Sequence, residues 1–486
     1  MNRLAVVLAA AAFAGCSAGH ASGVMPAERG AARVAGQVSV ALPLRRAGLE
    51  GNLGVYWATA AEWDDVRHGR HVIGTLIRMM ARTVPLRAVD PAAAPVPFDL
   101  DVPPGEVVVF AVLDRSHDFL RTVLEEGGAG NLRGATAEPV RAEPGRTARI
   151  DLVLADEVRP RAGEERCAGP RLRLERVHAP QVAGSSGNAI DRRLCVALPA
   201  SYTAAPDRRY PVIYVLPGLF STDASGPFFE VGRALDALAP TGAEAIVVGV
   251  DTSTRWGSTY FERSPAGGDF ESFLARDVVA RVDGRYRTVP EASRRALLGH
   301  STGGFNAVSM GLRHPDVFQV VVASAPDGLD LERWLLTPGG ERLRPEFLGL
   351  MRVEEAFGSP GQMASYAADW SPDTEGGLRW PARLDTGEVV PAVWARWRRA
   401  SPLALLADPA IREAARARLS RHVYLAASPS DESLLFEPAH RFSEALTAAG
   451  IAHTFASDDE GHFDDARRVR EMVAFALSAL GDGAPR

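Results

Sequence analysis

Ala296-Leu297-Leu298-Gly299-His300-Ser301-Thr302-Gly303-Gly304 is the stretch on which the fold of this chain turns. A short apolar strand runs into a Gly-x-Ser-x-Gly turn, and Phe305 to Arg313 continues at helical spacing. Strand, tight turn and helix in that order make a nucleophile elbow, which lifts a serine Oγ above the sheet on a strained backbone. Small neighbours leave room for that backbone, and the start of the helix adds partial positive charge. The five-residue motif alone is weak, because a chain with 46 glycines can supply one by chance. An idle serine in a glycine-lined turn is the competing reading. The flanking strand and helix favour Ser301 as a nucleophile.

A serine nucleophile needs a base, and in a sheet of this kind the base arrives last in the chain. Glu460-Gly461-His462 lies in a loop just before the final apolar helix, Asp464 to Leu480. His462 is therefore the expected base. His300 lies inside the elbow, His314 precedes Pro315, His440 falls on a helical pattern and His453 beside a strand. The acid is expected after the preceding strand, in Leu425-Ala426-Ala427-Ser428-Pro429-Ser430-Asp431-Glu432. Asp431 is the first choice, with Glu432 and Glu437 as substitutes; a solvated loop carboxylate is the bland alternative for each. The order Ser301, Asp431, His462 is that of an α/β-hydrolase. Two backbone N–H groups must face the developing oxyanion. Thr302, directly after the nucleophile, is one expected donor. Leu219, in the Pro217-Gly218-Leu219-Phe220 loop after the strand Val212 to Leu216, is the other.

Around the elbow the texture is that of α/β architecture. Apolar strands are expected at Tyr210–Leu216, Ala245–Val250, Ala296–Leu298, Val320–Ala323 and His422–Ala426. Helices are expected at Phe228–Leu238, Asp269–Val282 and Phe305–Arg313. Leu172–Val177 and Arg193–Leu198 read as an opening antiparallel pair. Near-continuous apolar strands imply a sheet covered on both faces. The segment from Val34 to Leu154 differs. Gln37–Leu42, Val96–Val102, Glu106–Leu113 and Thr147–Leu154 are short strands, most of them alternating, with turns at Pro103-Pro104-Gly105 and Glu143-Pro144-Gly145. A small antiparallel β-sandwich is expected there. His68, His71 and Asp64 are close in sequence but read as solvated loop residues.

The first residues read as a targeting segment rather than as fold. Arg3 precedes an apolar run from Leu4 to Phe13, too short to span a bilayer. Phe13-Ala14-Gly15-Cys16 then resembles a bacterial lipobox, with Phe13 in place of the usual Leu. That pattern implies cleavage before Cys16, lipid on Cys16 and export; a plain secretory signal is the alternative. In an exported protein, the remaining Cys167 and Cys195 form a candidate disulfide, with two buried thiols as the alternative. The expected plan is thus a leader at 1–16, a tether at 17–33, the β-sandwich at 34–155, a charged linker at 156–168 and the catalytic domain at 169–482. An insertion at about 327–419 carries Trp334, Trp370, Trp380, Trp394 and Trp397. It reads either as an aromatic acyl or sugar pocket or as a packed helical flap.

Composition excludes little else. At 486 residues, 46% hydrophobic and net charge -6, the chain can bury a large core and has no field that draws nucleic acid. It contains no lysine, so its basic residues are all arginine, which reads as coding bias rather than as an anion site. No Cys-x-x-Cys or His/Cys cluster has zinc spacing, so neither metal nor cofactor is expected.

From Leu172 to Leu480 the chain resembles the esterase D family, which includes S-formylglutathione hydrolases, enterochelin, feruloyl and acetylxylan esterases, and mycolyltransferases. Arg209 to Leu216 is similar to that family's entry strand. Asp251, Gly257-Ser258-Thr259-Tyr260 and Ser264-Pro265 are similar to the segment after its next core strand, and Val282 to Thr288 to the stretch before its elbow. Leu298 to Gly304, Asp431 and Gly461-His462 match its nucleophile, acid and base. One position departs. Before the oxyanion glycine the family usually has His or Asp, and here it is Pro217. The resemblance implies an α/β-hydrolase that cleaves carboxylic esters of a small molecule or glycan. Two alternatives remain at this point: acyl transfer to a sugar or lipid hydroxyl by the same three residues, and a non-catalytic envelope-binding lipoprotein.

Overall fold

The computed structural model describes residues 32–46, 48–49, 51–60, 62–63, 84–115, 130–158, 167–224, 226–239, 242–357, 360–373, 377–462 and 466–482. Cys16, the expected leader, most of the tether, and His68, His71 and Asp64 lie outside them. Among the described residues no helix is long and apolar enough to cross a membrane.

The N-terminal strands are β1 (Ala32–Val40), β2 (Gly51–Thr59), β3 (Val84–Val89), β4 (Val96–Val102), β5 (Gly105–Asp114), β6 (Leu132–Ala135), β7 (Val140–Ala142), β8 (Thr147–Leu154) and β9 (Asp156–Glu157). They form a three-stranded sheet ordered β4-β1-β8 and a six-stranded sheet on the path β3-β2-β5-β6-β9, with β7 on β5. The sandwich is present, with one correction to the purely antiparallel expectation: β1 and β8 pair in parallel. They are the first and last long strands of the unit, so no hairpin turn forces them antiparallel. The second sheet also runs past the expected boundary at 155. Asp156 and Glu157 pair with Arg133 and Leu132, since an edge strand tolerates charge.

β5 is almost entirely apolar because it serves two cores. Val107, Val109 and Ala111 face the interior of the sandwich, as do Val55 and Trp57 of β2. Phe110 and Val112, with Tyr56 and Ala58, join the core of the catalytic domain instead. Tyr56 and Phe110 stack with ring centroids 4.8 Å apart.

The catalytic sheet contains β10 (Leu172–His178), β11 (Asp191–Ala197), β12 (Val212–Leu216) and β13 (Ile246–Val250). Two small hairpins follow, β14 (Ser253–Thr254) with β15 (Gly257–Ser258) and β16 (Arg263–Ser264) with β17 (Gly268–Asp269). The sheet is completed by β18 (Arg295–His300), β19 (Val320–Ser324), β20 (Val423–Ala427) and β21 (Thr454–Ser457). Its order is β10-β11-β13-β12-β18-β19-β20-β21. β11 runs antiparallel to both neighbours and the remaining pairs are parallel. This is the α/β-hydrolase sheet. Alternate residues of each strand feed opposite faces. Ile213 and Val215 meet the helices Gly226–Leu238 and Ala466–Asp482. Val212, Tyr214 and Leu216 meet the helix Thr302–Arg313 and its neighbours on the other face.

Between β19 and β20 the insertion is helical. It holds helices Leu331–Leu335, Pro345–Phe357, Gln362–Trp370, Pro391–Ala400, Pro402–Ala407 and Pro409–Arg418. Four of its five tryptophans favour the packed flap; Trp380 is half-buried and donates from Nε1 to Glu355 Oε2 at 2.9 Å. Trp334, Trp370, Trp394 and Trp397 are buried in the main core. Trp370 stacks on Tyr366 at 4.2 Å, and Trp397 meets both edge-on. These indoles hold the flap together rather than line an open pocket.

Cys167 and Cys195 are bonded, with Cα atoms 5.4 Å apart. The bridge fixes the start of the catalytic domain to β11 across a separation of 28 residues. Cys167→Ser should lower the free energy of unfolding by about 3 kcal/mol on loop-closure grounds, read as a lower urea midpoint, with ester turnover retained below the transition.

Candidate active site

Ser301 sits at the end of β18 with φ 57°, a left-handed conformation rare for a residue with a side chain. Neighbouring glycines make it possible. A Cβ on Gly299 would lie 2.1 Å from the Gly303 carbonyl oxygen, and one on Gly303 would lie 1.9 Å from that of Leu216. Side chains there would push the turn off the sheet. The Ser301 N–H donates to the Ser324 carbonyl at 3.0 Å, and its own carbonyl accepts from Asp327 N–H at 3.1 Å. The turn is thus pinned to the loop leaving β19.

Loops leaving β20 and β21 bring the partners in. His462 Nε2 lies 3.1 Å from Ser301 Oγ, and His462 Nδ1 lies 3.0 Å from Asp431 Oδ2. Asp431 Oδ1 accepts from Ser433 N–H at 2.8 Å. His462 and Asp431 are both buried. Glu432, the first substitute acid, grips the backbone instead, where its Oε2 accepts the N–H of His462 at 3.0 Å. Glu437 pairs with Arg333 at 3.3 Å. Ser301, Asp431 and His462 are therefore brought together, and the two substitutes are not placed as the acid.

Burial pushes the His462 imidazolium down, but first the hydrogen bond and then the charge of Asp431 leave it above the ordinary histidine value. Burial pushes Asp431 up, but the His462 hydrogen bond and charge and the Ser433 N–H hold it below the usual carboxylate range. The pair therefore favours a carboxylate beside an easily protonated imidazole. The His300 ring lies 4.7 Å from that of His462, tilted by 45°, with Nδ1 3.2 Å from Ser324 Oγ. Burial and the neighbouring His462 charge push it down to about 3, so it stays neutral.

Of the two expected oxyanion donors, Thr302 adjoins the nucleophile. Thr302 opens the helix behind Ser301. Gly218 of the Pro217–Phe220 loop passes close to the nucleophile, where a Cβ on it would lie 3.9 Å from Ser301 Cβ. Phe220 takes φ 61° there. A cavity of about 350 Å³ lined by Arg171, Leu172, Leu198, Phe228 and Leu235 contains none of these residues.

Two residues of the site were missed in the sequence. Arg468, buried in the last helix, donates to the Gly461 carbonyl at 3.0 Å, the Glu460 carbonyl at 2.8 Å and Asp458 Oδ2 at 2.7 Å. It clamps the loop that presents His462. Asp327, in Ala325-Pro326-Asp327-Gly328, reads as a turn residue but lies buried with Oδ1 3.2 Å from Ser301 Oγ. Only the folded loop reveals it, since Asp-Gly is an ordinary turn signal. Among the described residues no His, Cys, Asp and Glu group could hold a metal ion.

The strained serine, its imidazole and its buried carboxylate on this sheet define a serine hydrolase of the α/β-hydrolase class. Residues 187–420 match the family model described as "Putative esterase", the family that the sequence resembles, and the catalytic domain is that of a carboxylic ester hydrolase. The matched stretch holds Ser301 and ends before Asp431 and His462. No curated protein matches the chain. Solved structures with some likeness include a ferulic acid esterase, 19% identical over 64% of this chain and 98% of that one, with TM-score 0.45. An S-formylglutathione hydrolase from Agrobacterium tumefaciens is 17% identical over 66% and 99%, with TM-score 0.41. MPT51 of Mycobacterium tuberculosis is 14% identical over 64% and 100%, with TM-score 0.44. Likenesses this distant carry no argument about substrate.

The raised imidazole sets a pH dependence. The base must be neutral to accept a proton, so the acid limb of kcat/KM should lie above the ordinary histidine value near 6.5. Asp431→Asn removes the charge that raises it. That variant should move the limb to lower pH and cost about 10,000-fold in kcat, because the imidazole loses the partner that fixes its tautomer. A pH series of initial rates on both proteins checks this.

Proposed function

We propose that this protein is an exported serine esterase that works through Ser301, His462 and Asp431 and an acyl-enzyme intermediate. One observation carries the reading: the unbroken line from Asp431 Oδ2 through Nδ1 and Nε2 of His462 to Ser301 Oγ, at 3.0 and 3.1 Å, on a strained elbow.

In this reading Ser301 Oγ attacks the ester carbonyl as His462 Nε2 takes its proton. The C–Oγ bond forms, and the carbonyl electron pair moves to the oxygen, which the N–H groups of Thr302 and Leu219 receive. As the pair returns, the alcohol leaves with the proton from His462. Water then attacks the Ser301 ester by the same route, with His462 first as base and then as acid. Asp431 keeps the Nδ1–H tautomer and stabilises the imidazolium throughout. The substrate class is a small-molecule or glycan ester. The lipobox-like Phe13 to Cys16 supports a lipid anchor on Cys16 and a place in a bacterial envelope, with the β-sandwich between the tether and the enzyme.

A fluorophosphonate probe should label the wild-type protein, and Ser301→Ala should abolish both labelling and p-nitrophenyl acetate hydrolysis while leaving the melting curve in place. Hydrolysis unchanged in Ser301→Ala would remove the assignment. Cys16→Ala should release the protein from the membrane fraction of cells expressing it.

A further inference from the structure

The nucleophile has a second neighbour that a serine triad does not require. Ser301 Oγ lies 3.1 Å from His462 Nε2 and 3.2 Å from Asp327 Oδ1. The other oxygen of Asp327 is crowded with donors. Its Oδ2 lies 2.7 Å from Thr302 Oγ1, 3.0 Å from Gln362 Nε2 and 3.1 Å from Tyr260 OH. Asp327 itself is buried at 2% exposure.

The donor and acceptor balance has one consistent solution for a working triad. A serine hydroxyl has one proton, and the triad needs it on the side of His462. Asp327 Oδ1 then faces a lone pair of Ser301 Oγ, and two acceptors at 3.2 Å would repel. Four donors already face Oδ2, the fourth being Tyr366 OH at 3.5 Å. A proton on the carboxyl group therefore belongs on Oδ1, pointing at Ser301.

We propose that Asp327 is a further catalytic residue: as a neutral acid it donates a hydrogen bond from Oδ1 to Ser301 Oγ, commits the serine proton to His462, and stabilises Oγ as it leaves in deacylation. This rests on Ser301 being the nucleophile. In deacylation a water proton goes to His462 and the water oxygen bonds to the acyl carbon. The C–Oγ bond then breaks, its electron pair goes to Oγ, and the proton returns from His462 to Oγ. Asp327 hydrogen-bonds to that oxygen and keeps its own proton. When Asp327 is ionised, its Oδ1 competes with His462 for the serine proton and its charge opposes the nearby oxyanion.

Burial is what favours the neutral form. Burial pushes the Asp327 carboxyl up, against the pull of Thr302, the His462 charge, Tyr260 and Gln362. The titratable groups that face it are Tyr260 from the loop after β15, Tyr366 from the insertion helix Gln362–Trp370 and His462 from the last loop. Burial pushes both tyrosines well above their ordinary value, so they remain donors. The insertion helix is itself fixed by two buried carboxylates. Glu354 Oε2 accepts Ala364 N–H at 2.5 Å, and Asp369 Oδ2 accepts Tyr260 N–H at 2.6 Å. Burial pushes Glu354 up to about 8 and Asp369 up to about 7. The flap thus delivers Gln362 and Tyr366 to Asp327 and makes the carboxyl group part of the site.

The test is the pH dependence of kcat for wild type, Asp327→Asn and Asp327→Ala. An asparagine can keep its carbonyl on Thr302, Tyr260 and Gln362 and offer Nδ2–H to Ser301, and it does not ionise. Asp327→Asn should cost only a few-fold on the plateau and lose the alkaline decline of the wild type. Asp327→Ala should lose about 100-fold in kcat, as removal of one donor to a developing oxyanion does. An alkaline decline that persists unchanged in Asp327→Asn belongs to another group, such as Glu354 or Asp369, and overturns the proposal. So does a rate in Asp327→Asn as low at every pH as that of a removed triad member, which would mean that the charge is what catalysis needs. Should Asp327→Ala fail to fold by its melting curve, the Asp327→Asn profile alone decides. Loss of this proposal leaves Ser301 labelling intact, whereas failure of the esterase reading shows as labelling that survives in Ser301→Ala.

Discussion

A serine held at φ 57° between two chain segments that allow almost no side chain constrains the rest of the molecule. The conformation costs on the order of 1–3 kcal/mol and persists only where its surroundings fix it. Leu216 below, the Ser324 carbonyl beside and the first turn of helix Thr302–Arg313 behind supply that fixation. Each belongs to a fully buried strand or helix of the central sheet. The eight-stranded sheet and its two helical layers can therefore be seen as the support for one strained turn. From that turn the partners follow geometrically, because β20 and β21 lie in sequence beside β19 and release their loops at the same edge.

Much of this was legible in the sequence for physical reasons. Strands buried on both faces are apolar throughout, and an elbow must have small residues on either side of its serine. Ser301, Asp431 and His462 follow from the chain order of the elements that carry them. The less legible features depend on contacts between distant segments. Asp327 looks like any Asp-Gly turn until Tyr260, Thr302 and Gln362 surround it. Arg468 looks like one arginine among many on a terminal helix until Asp458 and the loop carbonyls close on it. Glu432 looks like a rival acid in the sequence, and only folding shows it gripping the His462 backbone. The parallel pairing of β1 with β8 is non-local in the same way.

The insertion joins these features. Four of its tryptophans are buried in packing, and one of its helices carries polar groups to the site. Gln362 and Tyr366 from that helix meet Asp327, and Trp334 Nε1 donates to the Ser433 carbonyl in the loop that carries Asp431 at 2.9 Å. The flap therefore touches both the nucleophile side and the acid side of the triad. The β-sandwich reaches the same core from the outside through Tyr56 and Phe110. The sandwich is thus packed onto the enzyme.

The claim on which all of this depends is that Ser301 becomes esterified during turnover. Mixing the enzyme with p-nitrophenyl acetate, quenching rapidly in acid and mapping the peptides by mass spectrometry tests it directly. An acetyl group is expected on Ser301 in the quenched wild type, and none in protein left to complete turnover. Release of p-nitrophenol by an active enzyme whose Ser301 never carries acetyl would contradict it.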